Sequence, residues 1–283
     1  LTTTFDAASL PPLRDIIARF GLDAKKSLGQ HFLLDPSLLG RIAALAGPLD
    51  GRHVVEVGPG PGGLTRALLS TNVARVDAVE LDRRALDALA ELALAANGRL
   101  TVREGDALAL NLAALAPAPR QIVANLPYNV ATPLLIGWLR QAAAWERLTL
   151  MFQREVAERI VALPGTEAYG RLAVLTGWVA KASTLGDIPP GAFHPPPRVT
   201  SSVVSIVPHA KQPDDALFRT MERLTAAAFG QRRKMLRGAL KGIGGEALLA
   251  VAGIAGERRA ETLSVEEFDR LARALRPGAL PLD

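Results

Sequence analysis

The sequence predicts an α/β protein with a Rossmann-like parallel sheet wound on both faces, followed by a small C-terminal helical domain. Three observations predict it. Short apolar runs alternate with segments of helical period between residues 53 and 152. The first of these runs ends in a glycine-rich turn, Gly58-Pro59-Gly60-Pro61-Gly62-Gly63. Beyond residue 210 the period is helical and arginine is abundant. Strand–helix alternation is the signature of a parallel sheet covered by crossover helices.

Each element has a local reason. Residues 10–20 have amphipathic period, with Pro11 and Pro12 suited to a first helical turn. Residues 24–35, AKKSLGQHFLLD, are basic and glycine-broken and read as a loop or ordered arm. Asp35-Pro36 is an N-cap followed by proline at the first helical position, opening a helix to about residue 46. Residues 53–57, 76–80, 100–102, 121–124 and 148–152 are short apolar runs that predict buried strands. Helices are expected at 62–69, from an Asp82 cap to about 96, at 132–142 and at 171–179. A proline-rich run (188–202) precedes a strand at 203–207, and 208–213 reads as a linker. The expected domains are therefore 1–209 and 210–283.

Composition bounds the function. A chain of 283 residues accommodates one large and one small domain, and a 49% hydrophobic fraction is enough for a core. The net charge of +5 favours a polyanionic partner, though an ordinary basic enzyme shares it. With no cysteine, disulfides, cysteine nucleophiles and thiolate metal sites are excluded. The four histidines (His31, His53, His194, His209) are scattered, so no metal site is expected. No run of roughly 18 apolar residues and no basic-then-apolar N-terminal segment occurs. The expectation is a cytoplasmic monomer without a membrane partner.

The glycine turn permits close ligand approach to the backbone with a helix N-terminus behind it. Gly58-x-Gly60-x-x-Gly63 formally matches the dinucleotide fingerprint, which alone is weak. Two features favour S-adenosyl-L-methionine over NAD. Pro59 and Pro61 have no N–H to offer a pyrophosphate. Glu56 places an anion beside the glycines, which suits a sulfonium or ammonium better than a phosphate. Glu80 closes the second strand about 20 residues beyond the turn, where a carboxylate can accept from both ribose hydroxyls; a solvated strand-end acid is the plainer alternative. Asp106 can accept from an adenine amine, and it can equally cap the turn that follows.

Ligands of open parallel sheets sit beyond the carboxyl ends of the strands. Gly58, Glu80, Asp106 and Asn125 therefore converge on one edge. Asn125-Leu126-Pro127-Tyr128 follows the fourth strand there. An exocyclic amine is a poor nucleophile because its lone pair is delocalised into the ring. Two acceptors bonding its two N–H groups would draw it toward tetrahedral geometry. The Asn125 carboxamide oxygen and the Leu126 carbonyl, held extended by Pro127, are those acceptors. Tyr128 offers a face for the base to stack on. The same four residues are also ordinary turn formers.

These strings, with KKSLGQHFL (25–33), EVGPGPGGLT (56–65), VELD (79–82), GDAL (105–108), NLPYN (125–129), MFQREVAERI (151–160), YGRLAVL (169–175), FHPPPRVTSSVV (193–204) and QRRKMLR (231–237), resemble the ribosomal RNA adenine dimethyltransferases. Within them the chain is most similar to the small-subunit rRNA enzyme that dimethylates two adjacent adenines near the 3′ end. The resemblance implies that His31 and Leu33 line the mouth of the cofactor cleft. It places the methionine portion at Gly58, the ribose at Glu80 and the adenine at Asp106. Asn125, Leu126 and Tyr128 would hold the target amine and base, and Phe193 would stack on the flipped base from the other side. A core role is the alternative for Phe193. Three positions depart from the family's usual residues: His31 where Asn is commoner, Arg198 for Lys and Thr200 for Asp.

Two basic clusters are candidate RNA contacts. Lys25 and Lys26 lead the arm, and Arg198 stands in the proline run. Arg232, Arg233, Lys234, Arg237 and Lys241 fall on a stretch of helical period, with Arg233, Arg237 and Lys241 recurring every fourth residue on one face. A phosphate track and a merely solvated face are both open. The expected partner is small-subunit rRNA in an immature subunit. The rivals are a large-subunit rRNA adenine methylase, a DNA adenine methylase, a ribosome-assembly or transcription factor, and an NAD oxidoreductase that would have no use for Asn125 or Tyr128.

Overall fold

A computed structural model describes residues 5–25, 28–231 and 233–275. Along the chain, α1 (Leu13–Phe20) and β1 (Phe32–Leu33) precede α2 (Pro36–Leu45). Then come β2 (His53–Val57), α3 (Gly63–Leu69), β3 (Arg75–Glu80), α4 (Arg83–Ala95) and β4 (Leu100–Glu104). They are followed by β5 (Arg120–Asn125), α5 (Tyr128–Arg140), β6 (Arg147–Gln153), α6 (Arg154–Val161) and α7 (Arg171–Val179). The last strands are β7 (Ala180–Ile188), β8 (Phe193–His194) and β9 (Ser201–Pro208). Helices α8 (Asp215–Phe229), α9 (Leu236–Ala239), α10 (Gly245–Ala252) and α11 (Val265–Ala274) complete the described chain.

The chain divides into two compact units, one of residues 1–157 with 183–208, the other of 158–182 with 209–283. In the first, seven strands form a sheet in the order β4-β3-β2-β5-β6-β9-β7. The first five are parallel, and β9 runs antiparallel to β6. Their apolar runs are buried: Val54, Val55, Val76, Ala78, Ile122, Val123 and Leu150 have no exposed surface. Strands covered on both faces need such near-continuous hydrophobic runs. The expected caps form. The Asp35 carboxylate accepts from Ser37 N with Pro36 opening α2, and Asp82 accepts from Arg84 N at the start of α4.

Helix α6 and the short strands β1 and β8 were not expected, and α5 and β7 differ from expectation in ways that bear on the sheet and the site. Helix α5 begins at Tyr128 rather than near residue 132, because Pro127 sits as its N-cap at φ −58°. The reaction loop therefore runs directly into a helix. Strand β7 was not expected: its sequence AKASTLGDI is polar and weak in β formers. It lies at the sheet edge beside β9 with most of its residues open to solvent.

The second unit takes residues 158–182, which the expected boundary at 209 assigned to the first domain. The physical reason is the apolar character of α7, whose residues Ala173, Val174, Leu175 and Val179 are buried. Tyr169 donates its hydroxyl to the Leu263 carbonyl at 2.9 Å, and Trp178 Nε1 donates to Asp269 at 2.9 Å. Phe229 stacks on Phe268 at 5.6 Å between ring centroids. Ser264 and Glu267 cap α11 reciprocally. The presumed linker is tied down within this unit, since His209 N and the Gln212 amide both donate to the Val179 carbonyl. Among the described residues no helix is long and apolar enough to cross a membrane.

Candidate functional site

The sheet order reverses between β2 and β5, and the carboxyl ends of β2, β3, β4 and β5 open into one cleft. The structure brings together there ten of the residues singled out above. His31, Leu33, Glu56, Gly58 and Gly60 line the cleft, as do Glu80, Asp106, Asn125, Leu126 and Tyr128. Residues 28–33 of the arm form its outer wall.

Residues 58–62 of the glycine turn have no backbone donor to spare. Of residues 58–62, Pro59 and Pro61 have no N–H. Gly58 N donates to the Val79 carbonyl at 2.9 Å, Gly60 N to Glu80 Oε2 at 2.9 Å and Gly62 N to the Pro59 carbonyl at 3.0 Å. A pyrophosphate laid on residues 58–62 would find no free N–H there. Gly60 is required twice over: its φ is +54°, and a β-carbon there would stand 2.9 Å from the Phe32 ring.

Glu80 is the hub of the turn. Its Oε2 takes the Gly60 N–H, and its Oε1 takes the Leu81 and Asp82 N–H groups at 2.8 Å each. Burial raises its pKa, and the three N–H donors pull it back. Glu56 is buried more deeply, at 1% exposure, and accepts from Thr65 Oγ1 at 2.7 Å. Burial, reinforced by the charge of Glu80 and opposed by the Thr65 bond, pushes its pKa up to about 8. This corrects the sequence argument: alone, Glu56 is mostly neutral at pH 7, and it becomes the expected anion only when a cation or high pH favours ionisation. Asp106 does cap its turn, accepting from Leu108 N at 2.9 Å through Oδ1. It also lines the cleft, so the two roles coexist.

At the reaction loop, Asn125 Nδ2 donates to the His31 carbonyl at 3.1 Å. A carbonyl can only accept, so this bond fixes the amide orientation and leaves Oδ1 as the free acceptor. Leu126 is 2% exposed and is among the residues lining the cleft. The Tyr128 hydroxyl bonds Ser201 Oγ at 2.5 Å. The Tyr128 ring stacks with His31, with 5.6 Å between centroids and 29° between planes.

Phe193 is placed differently from the stacking role the resemblance implies. It is 4% exposed and belongs to the core cluster that contains Leu33 and Leu39, and it is not among the residues lining the cleft. The reason is β8: pairing of Leu33 with Phe193 and of Phe32 with His194 turns the ring inward. The basic stretch also differs. Residues 231–241 are not one helix, because α8 ends at Phe229 and α9 spans only Leu236–Ala239 before a 3-10 turn, Lys241–Ile243. Helix α8 is capped at Gly230, and Leu236 N and Arg237 N bond the Arg258 and Gly256 carbonyls. Arg233, Lys234, Arg237 and Lys241 are nonetheless exposed, with Arg237 3.4 Å from Glu257. Lys25 and Arg198 are exposed on the first unit. Lys26 and Arg232 lie outside the described residues.

Sequence reasoning missed Gln30, Thr65 and Ser201. Gln30 Nε2 donates to Asp82 Oδ2 at 3.0 Å, while its Oε1 accepts from Lys25 N, so it fastens the arm to the rim of the cleft. Thr65 holds Glu56, and Ser201, fully buried, holds Tyr128. Their only cue was membership of the motif strings; single polar residues carry no periodic signal.

Comparison with known proteins is consistent across three levels. The family model described as ribosomal RNA adenine dimethylase matches residues 21–276. Ribosomal RNA small subunit methyltransferase A of Gluconobacter oxydans is 68% identical over 264 residues, covering 93% of this chain and 87% of that protein. Its counterpart in Rhodospirillum rubrum is 57% identical, covering 94% and 93%. Among solved structures, a dimethyladenosine transferase from Plasmodium falciparum superposes with a TM-score of 0.71 at 24% identity, over 85% of this chain and 96% of that one. The 23S rRNA methyltransferase ErmE superposes with a TM-score of 0.64 at 25% identity, over 86% and 99%.

Proposed function

This chain belongs to the ribosomal RNA adenine dimethylase family, and on that premise we propose how its cleft and reaction loop act. The chain is an S-adenosyl-L-methionine-dependent rRNA adenine-N6,N6-dimethyltransferase, and its substrate is a pair of adjacent adenines near the 3′ end of small-subunit rRNA. It works as a cytoplasmic monomer on an immature subunit.

The cleft fits the cofactor. A turn whose residues 58–62 have no spare N–H suits a ligand without phosphate, and two buried carboxyls, Glu56 and Glu80, suit a cationic one. Glu80 has lone pairs left for ribose hydroxyls, Asp106 Oδ2 is available to an adenine amine, and Gly58 and Gly60 give the methionine portion close approach. The bound cofactor supplies an electrophilic methyl group on a sulfonium.

The remaining chemistry belongs to the protein. Asn125 Oδ1 accepts one N–H of the target amine and the Leu126 carbonyl accepts the other. The nitrogen lone pair is thereby drawn out of conjugation and aimed along the transfer axis. Rate enhancement is mainly positional. No base is needed before attack, since the proton leaves after the methyl arrives. A neutral Asn at this place avoids over-stabilising the sulfonium of the ground state. The base is extruded to reach the site and stacks at Tyr128. The exposed basic residues Lys25, Arg198, Arg233, Lys234, Arg237 and Lys241, together with Lys26 and Arg232, follow the RNA backbone.

The observation that carries this reading is the Asn125 amide, locked by His31 with its acceptor oxygen free. The test is incubation with labelled S-adenosyl-L-methionine and immature small subunits, followed by mapping of the labelled bases. Label on two adjacent adenines supports it. Binding without transfer would favour an assembly-factor role, and label on large-subunit rRNA would favour the other methylase.

A further inference from the structure

The arm residue His31 touches both chemical groups of the reaction loop. Its carbonyl takes the Asn125 amide at 3.1 Å, and its imidazole lies on Tyr128 at 5.6 Å. The ring is itself fixed, because Nδ1 lies 2.8 Å from the Pro195 carbonyl and must be the protonated nitrogen there. The backbone on either side is held too. Gly29, at φ +62°, is packed so tightly that a β-carbon would stand 2.9 Å from Asn129 Oδ1. Phe32 and Leu33 pair with β8. At the far end of Tyr128, the hydroxyl is held by Ser201, fully buried in β9. Tyr128 is therefore clamped across its face and at its tip by two residues distant in sequence.

We propose that His31 and Ser201 are positioning residues that hold the Tyr128 ring as the platform for the target base, with His31 also aligning the Asn125 acceptor to that platform. This rests on the reading of Tyr128 and Asn125 given above, and it adds a role toward the base to the place of His31 in the lining of the cofactor cleft. The centroid separation leaves no room for a base between the two rings. The base stacks on the open side of the pair, and His31 backs the tyrosine. His31→Asn keeps a donor for the Pro195 carbonyl and the backbone bond to Asn125 but removes the backing ring. His31→Phe keeps the ring and loses the donor.

The experiment uses the full chain with small-subunit rRNA carrying 2-aminopurine at the target position, whose fluorescence is quenched when the base stacks. In parallel, KM for RNA, kcat and the dissociation constant of S-adenosyl-L-methionine are measured. His31→Asn and Ser201→Ala should each raise KM for RNA about tenfold and lose most of the quenching. In the Ser201 variants cofactor affinity should stay within about twofold. His31→Phe should recover most of the quenching lost in His31→Asn, and Ser201→Thr should do the same relative to Ser201→Ala. Unchanged quenching in both His31→Asn and Ser201→Ala would overturn the proposal. Tyr128→Ala separates the levels: if it keeps full quenching, the platform reading of Tyr128 fails, whatever His31 does.

Discussion

Replacing Glu56 with Gln should stabilise the first unit near neutral pH, and the size of the gain follows from burial. The Glu56 carboxyl is 1% exposed and has a pKa of about 8, against 4.5 for an ordinary glutamate. A raised folded-state pKa means that the stability tied to the protonated form is complete below pH 4.5. It is lost as pH climbs toward 8, because the unfolded chain ionises freely and the folded one does not. At about 1.4 kcal/mol per unit, the loss is about 1 kcal/mol at pH 5, about 3 at pH 7 and about 5 above pH 8. Glutamine keeps an acceptor for Thr65 Oγ1 and never ionises, so it escapes this loss. The melting temperature of the variant should exceed that of the wild type by roughly 6–12 °C at pH 7, and the gap should shrink to a few degrees at pH 5. Calorimetric scans between pH 5 and pH 9 measure it. The same proton has the opposite effect on ligand capture: a cationic ligand favours the carboxylate, so wild-type affinity for S-adenosyl-L-methionine should rise with pH up to about 8 while that of Glu56→Gln stays flat. Parallel melting curves for the two proteins across this range would refute the reasoning, since they would mean that Glu56 is already ionised in the fold.

Three other outcomes are expected. Asn125→Ala should lower methyl transfer at least about hundredfold while cofactor affinity, measured by calorimetry, is retained; loss of cofactor binding alone would mean that the amide serves the cofactor instead. Gly60→Ala places a β-carbon against Phe32 at φ +54° and should cost about 1–3 kcal/mol in urea unfolding of the first unit, along with cofactor affinity. Arg233→Ala and Lys241→Ala should each reduce the slope of log affinity for rRNA against log salt by roughly one, and an unchanged slope would show that these side chains meet no phosphate.

The parallel sheet was legible because most of its strands carry apolar runs ended by glycine or a polar residue, and burial on both faces leaves no other use for such runs. The cleft was legible for a topological reason: once Gly58, Glu80, Asp106 and Asn125 stand at parallel strand ends, they must converge. Tertiary contacts decided the rest. For Phe193 the sequence left a stacking role and a core role open, and its pairing with Leu33 decides for the core. The basic stretch has helical period but also glycines, and hydrogen bonds to residues 256 and 258 outweigh the period. Glu56 could be seen as an acid beside glycines; its protonation depends on desolvation, which no local string encodes. Residues 158–182 joined the second unit because an apolar helix follows whichever partner completes its burial, and the chain order carries no mark of that choice.

The two-residue pairing of β1 with β8 joins positions separated by most of the first unit's length. During synthesis the chain emerges from its N-terminus, so the arm is made early and waits. The five parallel strands are all available once residue 153 has emerged, yet the arm has nothing to pair with until residues 193 and 194 follow, and Tyr128 has no hydroxyl partner until Ser201 does. A chain cut before residue 193 would thus carry the strand ends that converge on the cofactor cleft while lacking the clasp that shapes its reactive edge. Competence for chemistry is acquired later in the life of the polypeptide than the framework for its cofactor, and the interval between them is set by where two short strands fall in the gene's order.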